Sequence, residues 1–554
     1  MSLPDFSTQS YLFSTAALSA SLFPEDDRYR LFARLVFPRL AAARSALESS
    51  YSAAEGRPAV EPVLLLGVSV LQELDGIPDR QAVEMLRYHG GWNFALNRQL
   101  GDPLFHPTTL VNFRRRLEEK QQSTLAFRVI LDGLVEAGLM SRHSRQRLDS
   151  TQMFGRVSRM SRLDCVRESL RLALEELEEK VEEPARPFWW KALWERYVEN
   201  QVDYRASSET LARKLAEAGA DAWQLLEWLR SPEQSDWVAG SQARLLARVF
   251  GEQFEMAPDS AAPQLKTKEQ LTSERVRNPH DPEATYAMKG SGKQKKEHVG
   301  YKVQVAETVS EAKLEPGQPT GNFLTGIVAH AAYESDETGA ALMEAEQEAM
   351  GLEKPPVQYV DGAYISAEKL VEAQAEGREI IGPAPGAPHN NGGRFTTEDF
   401  QITVEDRQAI CPAGHQNTQC SRLEEGQSGK VTYRFEWSTF CADCPLRDKC
   451  VAPSQKHRTM VVGEHHTALQ TRRQEQKEDA FKERLKHRNA IEGTQSELVR
   501  AHGLRHARYR GLAKTKLQCH LAGAACNVKR WIRLEIWKFQ QAMTAVTSSP
   551  QVAG

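Results

Sequence analysis

No run of apolar residues in this chain approaches the roughly 20 needed to cross a bilayer, so a membrane-spanning role is excluded. The first residues also lack the basic start and apolar block of a secretory signal, which makes a cytoplasmic location the default expectation. A charge excess of either sign is missing too, because 71 Lys and Arg stand against 74 Asp and Glu, a formal net charge of −3. That average does not exclude a nucleic-acid partner: residues 500–533 carry nine Arg or Lys and no Asp or Glu. Cysteine is sparse, with eight in 554 residues, and uneven. Cys165, Cys519 and Cys526 stand apart, while Cys411, Cys420, Cys441, Cys444 and Cys450 crowd into one segment. In a large intracellular chain such a cluster favours reduced thiols or metal over disulfides. There is no clear internal repeat, and the length calls for about two to four domains.

What is present changes texture along the chain. Residues 1–145 read as a helical domain. Pro62 opens a buried segment, Asp79 starts another helix, and His106-Pro-Thr-Thr109 punctuates the chain before Leu110-Val-Asn-Phe-Arg-Arg-Arg-Leu117. This last pattern fits a helix-turn-helix in which Thr108 or Thr109 caps a helix with Leu110, Phe113 and Leu117 on one side. Asn112, Arg114 and Arg115 would then face DNA; a basic surface helix is the alternative. Residues 163–284 read as a helical insertion and linker, with Leu170, Leu174, Leu177 and Val181 at helical spacing. The tryptophans of that block suit core packing better than base stacking.

From His298 strand and helix patterns alternate, which indicates an α/β core. Two strings in it carry chemistry. Leu148-Asp-Ser-Thr151 and Tyr359-Val-Asp-Gly-Ala-Tyr364 each put an aspartate at the end of an expected strand, near 146–153 and ending at Asp361. A third acid, Glu492, sits in the basic helical stretch His487-Arg-Asn-Ala-Ile-Glu492. Strands near 299–306 and 322–330 fall between the two aspartates, the order of a ribonuclease-H-like core. Three carboxylates brought together repel one another unless cations are present, so Asp149, Asp361 and Glu492 imply a catalytic site holding two Mg2+ ions, with Mn2+ able to substitute. Arg488, a turn before Glu492, faces the same side and suits a phosphate or an ion pair.

These residues, with Asp281-Pro-Glu-Ala-Thr-Tyr, Gly300-Tyr-Lys-Val-Gln-Val, Phe440-Cys-Ala-Asp-Cys-Pro and Arg508-Tyr-Arg-Gly-Leu-Ala-Lys-Thr-Lys, make the chain resemble DDE transposases of bacterial insertion sequences over nearly its full length. The insertion sequence 1182-type group is the nearest resemblance. Around the last acid it implies a Tyr, Arg, Glu, Lys signature, of which Arg488 and Glu492 are kept. Leu485 stands at the Tyr position and Val499 at the Lys position, with Arg500 beside it. The resemblance implies an enzyme that binds terminal inverted repeats, cleaves at the element ends and transfers 3′-hydroxyls to target DNA. A homodimeric synaptic complex follows from identical repeats, in a bacterial cytoplasm and on the nucleoid when bound. A nuclease without strand transfer and a domesticated, non-catalytic DNA-binding protein are the rivals.

Two further features stay outside the acidic set. Cys441-x2-Cys444-x5-Cys450, with Cys411 as a candidate fourth ligand and Cys420 or His415 in its place, fits a structural Zn2+; reduced thiols are the alternative. The basic stretch, with Arg500, Arg505, Arg508, Arg510, Lys514 and Lys516 and running to Lys529 and Arg530, fits phosphate neutralisation. The expected fold class is therefore a multidomain α+β and α/β chain. A helical DNA-binding domain spans 1–145, and the ribonuclease-H-like core has its first strand in 146–162 and its body in 285–385. A helical insertion lies at 163–284 and a cysteine-rich insertion at 386–470. Core helices with the Glu and the basic stretch cover 471–540, and 541–554 is a tail.

Overall fold

The computed structural model describes residues 3, 20–52, 58–99, 101–200, 207–231, 240–256, 262–290, 295–310, 314–386, 393–426 and 429–548. In the N-terminal region, helix α1 (Pro62–Asp75) starts with proline in its first turn and ends on Gly76 at φ 64, a left-handed cap that glycine adopts without steric cost. It is apolar nearly all round and buried on most sides. Helix α2 (Asp79–Tyr88) and helix α3 (Thr108–Glu119) follow, then α4 (Leu125–Glu136). Thr108 is the first helical residue of α3, and the His106 ring accepts from its amide, so the cap comes from His106 instead of a threonine.

Strand β1 (Gln146–Phe154) matches the expected 146–153 to within one residue, but Asp149 is its fourth residue and not its end. Beyond it, helices α5 (Arg162–Glu178), α6 (Ser208–Leu229) and α7 (Ser241–Gln253) bury their own core, in which Trp190 and Tyr197 are enclosed. Trp189 meets Trp228 edge to face there, at a centroid distance of 6.1 Å. The end of the expected linker is packed in: Val276, Arg277, Asn278 and Asp281 are buried, and the Asp281 carboxylate accepts from the Tyr301 hydroxyl and the Gly511 amide.

The central sheet then forms from β2 (Thr285–Lys289), β3 (Lys296–Thr308), β4 (Leu324–Ala331), β5 (Val357–Tyr359) and β6 (Glu379–Ile381) around β1. β3 lies antiparallel to β1, β2 and β4; β5 is parallel to β1 and to β6. Leaving out β2, which pairs with the first part of β3, the order is β4-β3-β1-β5-β6. Gly300, opposite Phe154 in the pairing, allows the close approach of β3 to the end of β1, because a Cβ there would stand 2.1 Å from the Met153 carbonyl oxygen.

Strand alternation divides the sheet into two apolar faces. Met153, Tyr301, Val303 and Val305 join the large core, which also takes in the N-terminal helices and the last helix. Leu148, Ala306 and Val328 face α8 (Asp336–Ala349) and α9 (Ala367–Ala375). Ser335, whose side chain accepts from the Thr338 amide, caps α8, and Asp336 lies in its first turn. Short strands between 401 and 463 enclose a small core of their own with Phe435, Trp437, Cys441 and Cys450. Helices α10 (His466–Glu475), α11 (Asp479–Asn489) and α12 (Ile491–Ala501) lead to α13 (Leu512–Ser548). α13 is the strut of the molecule: Leu517, Cys519, Cys526 and Trp531 are buried against both the N-terminal helices and the sheet. No helix among the described residues is long and apolar enough to cross a membrane.

Candidate active site

The parallel pairing of β1 with β5 sets the two aspartates level. Gln146 pairs with Gln358 and Arg147 with Tyr359, an offset of 212 residues that also separates Asp149 from Asp361. β5 ends at Tyr359, and Asp361 caps the short helical turn Gly362–Tyr364 by accepting from the Ala363 amide at 2.6 Å. One Asp149 oxygen accepts from the Ser150 amide at 2.8 Å. The other accepts from Arg488 Nη2 at 3.0 Å, and the same nitrogen lies 3.6 Å from Asp361. Burial pushes the Asp149 carboxyl above the ordinary aspartate range and the Asp361 charge adds to this, against the Ser150 amide and Arg488. Two carboxylates on neighbouring parallel segments that share one guanidinium are an oxygen donor pair suited to a hard divalent cation.

Glu492 lies in the first turn of α12 and is exposed. Gln495, three residues on and so on the same helical face, donates to the Ser150 carbonyl at 3.2 Å. Helix spacing thus directs the Glu492 face toward the residue after Asp149. Among the described residues, the His, Cys, Asp and Glu group whose ligand atoms all lie within 4.8 Å is a different one, Glu497, His502 and Cys526. Its carboxylate is already neutralised by Lys529 at 2.9 Å and Arg530 at 2.9 Å, so this group balances its charge without a metal.

Behind the acids is a buried charge hub that sequence reasoning missed. Glu307, opposite Arg147 in the β1–β3 pairing, accepts from Arg147 Nε at 2.5 Å, Thr494 Oγ1 at 2.7 Å and Arg530 Nη1 at 2.8 Å. Arg147 also donates to the His487 carbonyl at 2.9 Å. The hub therefore grips the chain on both sides of Arg488 and Glu492. The one signal in the sequence was a glutamate directly after the apolar pair Val305-Ala306 near the end of β3.

A groove of about 720 Å³ leads away from Asp149 along Ser150, Thr151 and Gln152, with Lys289, Lys302 and Arg505 on its walls. Other expected DNA contacts divide by exposure. Asn112 and Arg115 are exposed on α3, and Arg500, Arg505, Arg510 and Lys514 are exposed after the site, with Lys516 half-buried. Arg114 is not among them: it is buried, grips Asp79 with both terminal nitrogens and lies over the Tyr509 ring. Arg508 pairs at 2.5 Å with the buried Glu73, and Lys529 and Arg530 pair with Glu497, so these three cations hold the fold together instead of meeting phosphates.

In the cysteine-rich region, Cys411, Cys441, Cys444 and Cys450 line one cavity of about 10 Å³. Burial pushes the Cys450 thiol up to about 11, and the other three cysteines lie near enough to add to the shift. His415 also lines the cavity, with its ring stacked on Phe440 at 4.6 Å, while Cys420 lies outside. All eight cysteines are free thiols.

With this geometry in place, comparison with known families finds two matches. Residues 410–532, which hold the cysteine cluster, Arg488 and Glu492, match the model described as a transposase DDE domain. Residues 19–116, through most of α3, match a transposase domain of the type designated DUF772. No curated protein matches the chain. The chain thus carries two transposase domains, the second of them a DDE domain, which supports a DNA transposase.

Proposed function

We propose that this transposase, of the insertion sequence 1182-type group, binds the terminal inverted repeats of its element as a homodimer, cleaves at the ends and joins the 3′-hydroxyls to target DNA. The observation that carries the reading is the level pair Asp149 and Asp361 bridged by Arg488, with Glu492 on the neighbouring helical face. The strand order and directions around β1 support a ribonuclease-H-like core. Asp149, Asp361 and Glu492 would hold Mg2+ or Mn2+, which supplies activation of water or a 3′-hydroxyl and stabilisation of the leaving oxygen. Arg488, released from the carboxylates as they take up a cation, is placed to hold the scissile phosphate. Lys289 and Arg505 neutralise the strand along the groove, while Lys302 is paired with Asp336 at 3.3 Å. A labelled element end incubated with the purified protein and Mg2+ tests this: nicked and strand-joined products are expected, and an intact end after prolonged incubation with either metal would sink it.

The face of α3 that carries Asn112 and Arg115 is assigned to sequence reading, and Arg505 and Arg510 to phosphates. Replacing Asn112 and Arg115 together is expected to lower the preference for the cognate end over random DNA by roughly tenfold or more. Replacing Arg505 and Arg510 is expected to weaken both and to flatten the salt dependence. Competition binding at several salt concentrations checks both, and an unchanged preference in the first variant would move end recognition off α3.

The four cysteines around one ion-sized cavity favour structural Zn2+ held by Cys411, Cys441, Cys444 and Cys450, apart from the catalytic acids. Protein purified without added zinc is expected to contain about one equivalent, and Cys444→Ser to lose both zinc and thermal stability. Metal-free protein of undiminished stability would leave the cluster as reduced thiols.

A further inference from the structure

The two aspartates are held by different means. Asp149 lies inside β1, opposite Val305 of β3, and the strand ladder fixes it. Asp361 stands two residues past the end of β5, beyond the bond from Val360 N to the Ile381 carbonyl at 2.9 Å. It belongs instead to the turn Gly362–Tyr364, closed by the Ala363 amide on its carboxylate and the Tyr364 amide on its carbonyl at 3.2 Å. The place of the Asp361 carboxylate relative to Asp149 therefore depends on what anchors that turn.

The anchor is the Tyr364 side chain. It is 5% exposed, and its hydroxyl donates to Gln304 Oε1 at 2.6 Å. Gln304 is fully buried and lies opposite Ser150 in the β1–β3 pairing, so this bond ties the Asp361 turn to the residue after Asp149. The Ser150 side chain also hydrogen-bonds to the Tyr364 hydroxyl. The Gln304 amide is fixed in its turn, because Nε2 meets His330 Nε2 at 3.0 Å and Asp336 Oδ1 at 3.3 Å, while His330 Nδ1 meets Glu334 at 3.0 Å. With both amide hydrogens facing acceptors, the oxygen is left for a donor, and Tyr364 is that donor. Burial raises the tyrosine pKa, which keeps the hydroxyl protonated. Helix α8 closes over the network at Gly339, where a Cβ would stand 2.2 Å from Gln304 Nε2 and 2.7 Å from His330 Nε2.

A phenylalanine would fill the same space without the cost of burying a hydroxyl, so packing does not account for this polar chain. Orientation does. Mg2+ requires near-ideal octahedral geometry, which makes its binding sensitive to a small shift of one carboxylate against the other. We propose that Tyr364 is a positioning residue of the metal site: bonded to Gln304, it sets the place of the Asp361 carboxylate relative to Asp149, and His330 and Asp336 orient the Gln304 amide for it. The proposal rests on the transposase reading above and deepens it, since the two aspartates of that reading are the ligands being positioned.

The test measures Mn2+ binding by the full-length protein with an element-end duplex whose scissile linkage is uncleavable. Electron paramagnetic resonance reads the free ion, and the Asp149→Asn protein gives the background. Wild type is expected to bind Mn2+ above that background. Tyr364→Phe is expected to bind it roughly tenfold more weakly and to need roughly tenfold more Mg2+ for half-maximal cleavage of a normal end, with affinity for the duplex within about twofold of wild type. Gly339→Ala, whose methyl displaces the Gln304 amide and leaves Tyr364 in place, is expected to weaken Mn2+ binding in the same direction. Wild-type metal affinity in either variant overturns the positioning role and leaves the transposase reading standing. An equal loss of metal and duplex binding in both variants overturns it too, because that marks a general loss of fold. Absence of Mn2+ binding above background by wild type overturns both.

Discussion

Asp149→Asn, Asp361→Asn and Glu492→Gln are each expected to reduce strand cleavage by three orders of magnitude or more, while end binding stays within a few-fold of wild type. The reason is the division of labour in the site. On the proposed reading each carboxylate would supply a negative charge and two oxygen ligands for the metal, whereas an amide of the same shape keeps one neutral oxygen and no charge. On the same reading DNA affinity would come from cations elsewhere, on the exposed face of α3 and along the groove. For Asp149 there is a second consequence. Arg488 now holds that carboxylate at 3.0 Å, and removing its charge frees the guanidinium, so Asp149→Asn should bind end DNA at least as tightly as wild type at low salt. Gel-shift and cleavage assays on one labelled end separate the two properties. Wild-type cleavage by any of the three variants would remove that residue from the site.

Glu307→Gln is expected to cost about 3–5 kcal/mol of stability, the usual penalty for removing one partner of a buried ion pair. Glu307 is fully buried and accepts from Arg147, Thr494 and Arg530, so the amide leaves two buried guanidinium groups without their shared counter-charge. Arg530 retains Glu497, but Arg147 retains only the His487 carbonyl. Because Arg147 and Thr494 hold the chain on either side of Arg488 and Glu492, the loss should fall on catalysis more than on binding. The expected result is a lower apparent thermal midpoint together with slower cleavage of bound ends at temperatures where the variant is still folded. Glu307→Asp should restore part of both, since it keeps the charge. A variant with unchanged midpoint and unchanged cleavage would show that the hub does not position the site.

The local patterns were legible in the sequence because they depend on neighbours a few residues away. Leu110, Phe113 and Leu117 form the buried stripe of α3, and Leu170, Leu174 and Leu177 that of α5, since helical spacing alone puts such residues on one side. The alternation in Gly300-Tyr-Lys-Val-Gln-Val-Ala marked β3, and Pro356-Val-Gln-Tyr marked β5 just ahead of Asp361. The order of Asp149 and Asp361 around the strands, and the one-turn spacing of Arg488 and Glu492, are likewise features of the sequence alone. The span of β1 was legible to within one residue, but Asp149 stands inside the strand and not at its end, because pairing with β3 along nine residues carries the strand past it.

The partners of the charges were decided only by tertiary structure. Arg114 and Arg115 are adjacent in a basic run and indistinguishable by composition, yet the helix turns one onto Asp79 and Tyr509 in the interior and leaves the other in solvent. Arg508 and Arg510 part in the same way, because the first meets Glu73 from a helix more than four hundred residues earlier. Glu307 became the hub of the site through Arg147 and Arg530, which lie on opposite sides of it in the chain, and Phe154 acquired its ring partner only when the segment after α12 paired with the end of β1. Periodicity tells which side of an element faces inward, and so the sequence determines the elements and the order of its acids. Which group a buried charge meets depends on segments hundreds of residues apart, and that is settled only when the sheet and α13 bring them together.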